Sequence, residues 1–379
     1  MGKLGNPLVT LYGKVLKKER QNMSDSSGNW FSKFKKVSQL EPKPNPGVVP
    51  KQTIETRKWN NKGVSLHNRG RYEDAIRCYV QALELDPQNG DAWYNKGNSL
   101  DSLDRFEEAL FCYDKALELD PRFVMAWTNK GASLNSLGRF EEAIQCYDKA
   151  LELDPRHGYA WTNKGGNLGR QGRYEEAVHC LDKALQLDPR DTHAWTNKGA
   201  SLNSLGRFEE AIQCYDKALA LDPRDAMTYS NKGVSLDSLG RYEEAVHCLD
   251  KALALDPQNG DAWYNKGNSL DSLDRFEEAL LCYDKALELD PRFVMAWTNK
   301  GASLHNLGRN EEAIRCLDRA LELDPHDAFA WYNKALAEDE LGYLRDAARS
   351  YQQFLALALS QQYAEQIEYA RKRLRELGG

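Results

Sequence analysis

Tryptophan recurs every 34 residues along most of this chain, at Trp59, Trp93, Trp127, Trp161, Trp195, Trp263, Trp297 and Trp331, with Tyr229 in the one open place. A period of that length leaves little freedom of fold. Each unit is one small supersecondary motif that buries its apolar face only by stacking on its neighbours. Other markers keep the same step. Eight Asp-Pro pairs run from Asp86-Pro87 to Asp324-Pro325, and "AWTNKGASLNSLGRFEEAIQCYDKAL" stands unchanged at 126–151 and 194–219. Eight repeats therefore span 56–327, and a ninth, 328–361, keeps the first half of the pattern and loses the Asp-Pro. Residues 85–134 and 255–304 differ only at Phe111/Leu281, and whole-repeat recombination explains their offset of 170, five periods.

The eight cysteines, from Cys78 to Cys316, also sit 34 residues apart. Metal sites want cysteines two to four residues apart, and a catalytic thiol is single and partnered. Thiols sharing one slot of a repeat read as small buried hydrophobes, and free thiols point to a reducing, cytoplasmic compartment.

Each unit reads as two helices. In repeat two, Trp93, Gly97, Leu100 and Leu103 share a helical face. Asp104 follows in a slot that is Gly in most repeats and suits a left-handed cap. The second helix opens with Glu107 and Glu108 at its positive end and presents Phe106, Ala109, Leu110, Tyr113, Ala116 and Leu117. Pro121 ends it and biases Asp120 away from helix. Gly97, Ala109 and Ala116 allow close approach. After the last repeat, Tyr363, Ile367, Ala370, Leu374 and Leu377 form one stripe over 362–379, which predicts a C-terminal capping helix.

These residues and their spacing resemble the tetratricopeptide repeat (TPR) family, over about 300 of 379 residues. The resemblance implies an all-α fold: a right-handed solenoid of antiparallel helix pairs with a concave groove lined by first helices, usually a protein-binding scaffold. One departure recurs. Where the family has leucine before the glycine, every repeat has lysine, from Lys62 to Lys334; its stem can cover the tryptophan while its ammonium reaches water.

One lining position is asparagine in all nine repeats: Asn61, Asn95, Asn129, Asn163, Asn197, Asn231, Asn265, Asn299 and Asn333. An amide donates and accepts, so such a ladder can pair with the backbone of an extended peptide whatever its side chains. It resembles the ladder of the O-linked N-acetylglucosamine transferase family, which implies that use. The other reading is that each Asn bonds a neighbouring helix and only holds the stack. Further lining positions are acidic or small, among them Asp91, Asp101, Asp237, Asp261, Asp271, Ser102, Ser136, Thr128, Thr162 and Thr196. The lysine and arginine clamp with which some family members hold acidic chaperone tails is missing; Tyr, Thr, Asn, Asp or Met fill its places.

Catalysis finds no support. The seven histidines are scattered, and neither a phosphate loop nor metal-ligand spacing nor a triad-like cluster occurs. No cofactor or metal is expected. No apolar run approaches the roughly 18–20 residues of a membrane span. The net charge of −6 divides unevenly: residues 1–55 carry +6 and the remainder −12. An acidic body argues against nucleic acid as main ligand.

Residues 1–55 form a basic arm and linker. "EPKPNPGVVP" (41–50) is extended by composition. Before it, Trp30, Phe31, Phe34 and Val37 share a helical face, with Lys33, Lys35 and Lys36 toward the other side. Three readings stay open: a tail or short helix capping repeat one; a peptide that docks on the acidic groove, its own or a neighbour's; and a weak membrane-surface contact through 29–40. The start lacks a secretory cleavage site, and Asn6 departs from a myristoylation motif. Lys18-Glu19 can be encoded AAGGAG, a ribosome-binding sequence three codons ahead of Met23, so a bacterial source is expected and the start stays open between Met1 and Met23. The function expected is a non-catalytic cytoplasmic scaffold holding an extended protein segment. A self-assembling structural module and a substrate-recruiting subunit of a separate enzyme are the alternatives.

Overall fold

The computed structural model describes residues 51–358 and 363–378, so the readings of the arm at 1–50 and of the start at Met23 lie outside the described residues. The chain divides into units 1–54 and 55–379, and the second is described here.

The described residues hold nineteen α-helices. Repeats one to nine are the pairs α1 (Lys51–His67) and α2 (Tyr72–Leu85), α3 (Gly90–Asp101) and α4 (Phe106–Leu119), α5 (Val124–Ser136) and α6 (Phe140–Leu153), α7 (Gly158–Arg170) and α8 (Tyr174–Leu187), α9 (Thr192–Ser204) and α10 (Phe208–Leu221), α11 (Ala226–Ser238) and α12 (Tyr242–Leu255), α13 (Gly260–Asp271) and α14 (Phe276–Leu289), α15 (Val294–Asn306) and α16 (Asn310–Leu323), and α17 (Ala328–Glu340) and α18 (Leu344–Leu357). α19 (Ala364–Glu376) follows. α1 reaches back to Lys51, inside the segment read as arm and linker. Pro50 is the last helix breaker before it, and nothing between Pro50 and Thr56 stops a helix.

The turns follow from single residues. Asp104 and Asp274 adopt φ of 56° and 58°, the conformation that glycine takes at the same slot, as in Gly138 with φ 74°. Before the proline, Asp120 is extended (φ −136°, ψ 94°) and its carboxylate accepts the Arg122 N–H at 2.9 Å. The first helices of repeats two, five, six, seven and nine are capped by Asn89, Asp191, Asp225, Asn259 and Asp327, whose side chains accept a first-turn N–H.

Inside a repeat the helices meet without a spacer. A Cβ on Gly97 would lie 2.6 Å from a ring carbon of Tyr113, which is fully buried beneath it. Between repeats the tryptophan explains its link to Asp-Pro: the Trp127 indole N–H donates to the Pro121 carbonyl at 3.0 Å, and six further tryptophans repeat the bond. The cysteines are free and buried, and burial pushes the Cys112, Cys146 and Cys282 thiols up to about 11.

The lysine beside each tryptophan does more than reach water. Lys130 Nζ lies 5.5 Å from the Trp127 ring centre and 2.6 Å from Asp114 of the preceding repeat. The same lysine–aspartate bridge, sixteen residues apart, runs from Lys164–Asp148 through Lys334–Asp318. At the first seam Val80 takes the aspartate's place. The aspartates are about half exposed, so each pair contributes on the order of 1 kcal/mol or less. Its larger effect is to fix the register of one repeat on the next.

First helices of successive repeats from two to nine pack against one another, whereas no pair of second helices comes into comparable contact. The first helices therefore form the inner side of the stack. At its end α19 lays Ile367 and Ala370 on Ala347, Tyr351 and Phe354, with Tyr363, Leu374 and Leu377 around them. Arg373 clamps Asp339 through Nε (2.6 Å) and Nη2 (2.8 Å).

Candidate peptide-binding face

The asparagine ladder runs along the first helices, and its rungs differ. Asn129 donates to Asn98 Oδ1 (2.8 Å) and Tyr94 Oη (3.1 Å), and Asn299 repeats this with Asn268 (2.8 Å) and Tyr264 (3.2 Å). Asn95 donates to Asn60 at 3.3 Å. Asn333 is buried and donates to the Phe329 carbonyl of its own helix at 2.8 Å. Asn61 is exposed.

The decisive neighbour lies 31 residues upstream, on the facing first helix. It is an acceptor at Asn98 and Asn268 only; before the other rungs from repeat two onward stand Val64, Ala132, Gly166, Ala200, Val234 and Ala302. Asn197, Asn231 and Asn265 accordingly make no side-chain hydrogen bond among the described residues, and each is half-buried on the inner side. Asn163 stands at the end of this run with its Nδ2 buried and unpartnered. The rungs thus divide: Asn95, Asn129 and Asn299 bond a neighbouring helix, Asn333 bonds its own, and three consecutive central amides have both functions unused.

The acidic positions divide as well. Asp101 accepts the Ser133 hydroxyl of the next repeat at 2.5 Å, Asp237 that of Ser269 at 2.6 Å, and Asp271 that of Ser303 at 2.7 Å and of Tyr283 at 2.6 Å. These three carboxylates belong to the seams. Asp91 is exposed in the first turn of α3. Of the small positions, Thr128, Thr162 and Thr196 are buried between helices and line no open surface; Thr162 donates to Asp191 at 2.6 Å.

Burial pushes the Asp101 carboxyl above its ordinary value, with the Ser133 bond acting the other way. A raised folded-state value means that its contribution to stability is present below the ordinary aspartate range and is lost as pH rises through the raised value. Asp101→Asn keeps an acceptor for Ser133 and removes the desolvated charge. The variant is expected to match or exceed the parent in urea unfolding at pH 7.5, with its advantage shrinking toward pH 4. A variant weaker at pH 7.5 would show that the ionised form stabilises the seam.

No cluster of three His, Cys, Asp or Glu suited to a metal ion occurs among the described residues, and none of their helices is long and apolar enough to cross a membrane.

The family model of the cilia and flagella-associated protein 70 C-terminal domain, a TPR model by name, matches residues 33–231 and, in a second placement, 90–273. The tetratricopeptide repeat model itself matches 260–293 and 294–327, two adjacent units of the array. The chain belongs to the tetratricopeptide repeat family. Among solved structures, the TPR array is similar to the Cut9-Hcn1 hetero-tetramer of the APC/C (TM-score 0.54, 18% identity, 92% of this chain and 80% of that one). It is also similar to a TPR protein from Parabacteroides merdae ATCC 43184 (TM-score 0.52, 19% identity, 62% and 94%). These share the fold. YrrB, described as a TPR protein with an unusual peptide-binding site, aligns at 29% identity over 50% of this chain and 97% of its own, with a TM-score of 0.42. No curated protein matches the chain. Family and fold support a protein-interaction scaffold.

Proposed function

We propose that this TPR array is a non-catalytic scaffold that holds an extended protein segment along its first helices, gripping the backbone with the central asparagine rungs. The observation that carries the reading is the run Asn197, Asn231 and Asn265: three amides, one per repeat, half-buried on the inner side and unbonded within the stack. Unused donors and acceptors at regular spacing fit a peptide main chain, which offers the same pair of groups at regular spacing. The buried Asn163 on one side and the engaged Asn299 on the other bound the run, so the grip belongs to repeats five to seven. A cytoplasmic site of action, supported by eight free buried thiols, and a bacterial source, supported by the spacing ahead of Met23, belong to the same proposal.

A photo-reactive residue at position 231, compared with one at Gln213 on a second helix, tests it in cells of the native host. Adducts from 231 that map to one contiguous segment of a partner, with none from 213, are expected. Adducts from 213 alone would place the partner on the outer side and remove the groove reading.

A further inference from the structure

Repeat four departs from the other repeats in chemistry. Six buried side-chain polar atoms lack a hydrogen-bond partner among the described residues, and five belong to residues 157–171: His157 Nε2, Asn163 Nδ2, both amide atoms of Asn167, and Gln171 Nε2. Asn163, Asn167 and Gln171 are four residues apart and share one face at α7 and its C-terminal cap. Asn167 is 2% exposed. At its position seven other repeats carry serine, and at the position of Gln171 seven carry leucine. Two amides have replaced a hydroxyl and an apolar side chain and, with the ladder's Asn163, make a row of three.

The row faces the seam with repeat three. Serines at the Asn167 position reach back to the preceding first helix, as Ser133 does to Asp101. Here the facing Asn135 Oδ1 instead receives Arg170 Nη1 at 3.1 Å, and Ala132 opposite Asn163 offers no acceptor. The second helix of repeat three, α6, also touches α7 more sparsely than a second helix touches the next first helix at the other repeat-to-repeat seams. On the other side of α7, Gly166 and Gly169 let Asn197 and Ser201 come close: a Cβ there would meet them at 3.1 and 3.2 Å. α7 packs more closely on the first helix of repeat five than on that of repeat three, and the polar atoms facing repeat three stay unmet.

We propose that the seam between repeats three and four is a slot for a side-chain carboxamide, a glutamine or asparagine of the segment held on the first helices. The unmet atoms choose the class. They include donors on three residues and the Asn167 carbonyl acceptor, so a group that only accepts, such as a carboxylate, leaves Oδ1 unmet, and a group that only donates, such as an ammonium, leaves the N–H groups unmet. A carboxamide supplies both and carries no charge into a buried seam. The slot rests on the groove reading for its source of ligand. It adds one side-chain preference to a grip that otherwise reads backbone.

Acetamide is the probe, with acetate and methylammonium as comparators, titrated into the deuterated full chain with ¹⁵N in its side-chain amides. Asn167→Ser with Gln171→Leu restores the residues of the neighbouring repeats, keeps the fold, and assigns two of the resonances by their loss; Asn163→Ala assigns the third. In the parent, the amide resonances of Asn163, Asn167 and Gln171 are expected to shift along a saturating curve with acetamide, at least fivefold more tightly than with either ion. In the double variant the Asn163 response is expected to be lost. Equal responses to all three solutes, or none, overturn the proposal and leave the row as a water-filled packing flaw. Asn197, Asn231 and Asn265 are intact in every arm, so a failed slot leaves the cross-linking result at position 231 standing, and a failed groove leaves the acetamide result standing.

Discussion

Phe354→Ala is expected to cost about 3–5 kcal/mol, the usual range for emptying a fully buried phenylalanine site. Phe354 has no exposed surface and sits where the last repeat meets α19, between the rings of Tyr332 (5.0 Å) and Tyr363 (5.7 Å) and beside Ile367 and Ala370. α19 stands in for a tenth repeat. Arg373 takes the seam acceptor Asp339, as a serine does at earlier seams. Losing the ring should therefore release α19 and repeat nine before the rest. Hydrogen exchange checks this: protection should fall over 328–378 and hold over repeats three to seven. Uniform loss along the array, or a cost near 1 kcal/mol, would mean that the end is not held through this residue.

The second large effect concerns binding. Replacing Asn197, Asn231 and Asn265 together by alanine should weaken the bound segment at least tenfold, since each lost bond is worth about 0.5–1.5 kcal/mol net. The same triple at Asn95, Asn129 and Asn299 should instead lower stability, because those amides are bonded to the neighbouring repeat or helix. Calorimetry with the cross-linked segment as a synthetic peptide, beside urea unfolding, separates the two. If both triples lose stability and neither loses affinity, the whole ladder is a stacking device.

The repeats, their two helices and the cap were legible because each rests on local rules: glycine or aspartate in a left-handed turn, proline after the second helix, an apolar stripe. What was not legible lies between repeats. Lys130 reads as a tryptophan cover in isolation, and nothing in its own repeat points to Asp114; only stacking brings them to 2.6 Å. The ladder looks uniform because all nine rungs are asparagine, yet its division is written 31 residues earlier, at Asn98 and Asn268. A comparison across seams could have found it. Asp101, Asp237 and Asp271 look like groove acids within one repeat for the same reason: the serine that each accepts from belongs to the next repeat. The two exchanges in repeat four, Asn167 for serine and Gln171 for leucine, stood in plain view but gave no sign of being unpartnered until the seam was built.

The ties that close these seams join residues no more than about one repeat apart: lysine to aspartate sixteen residues away, serine to aspartate thirty-two, asparagine to its acceptor thirty-one. Among the described residues no hydrogen bond or ion pair joins one end of the array to the other. Pulled by its ends, such a chain yields as a row of separate catches, each releasing about 34 residues, roughly 110–120 Å of slack per catch. The catch between repeats three and four, where α6 touches α7 most sparsely and polar atoms are unmet, is the one expected to yield first.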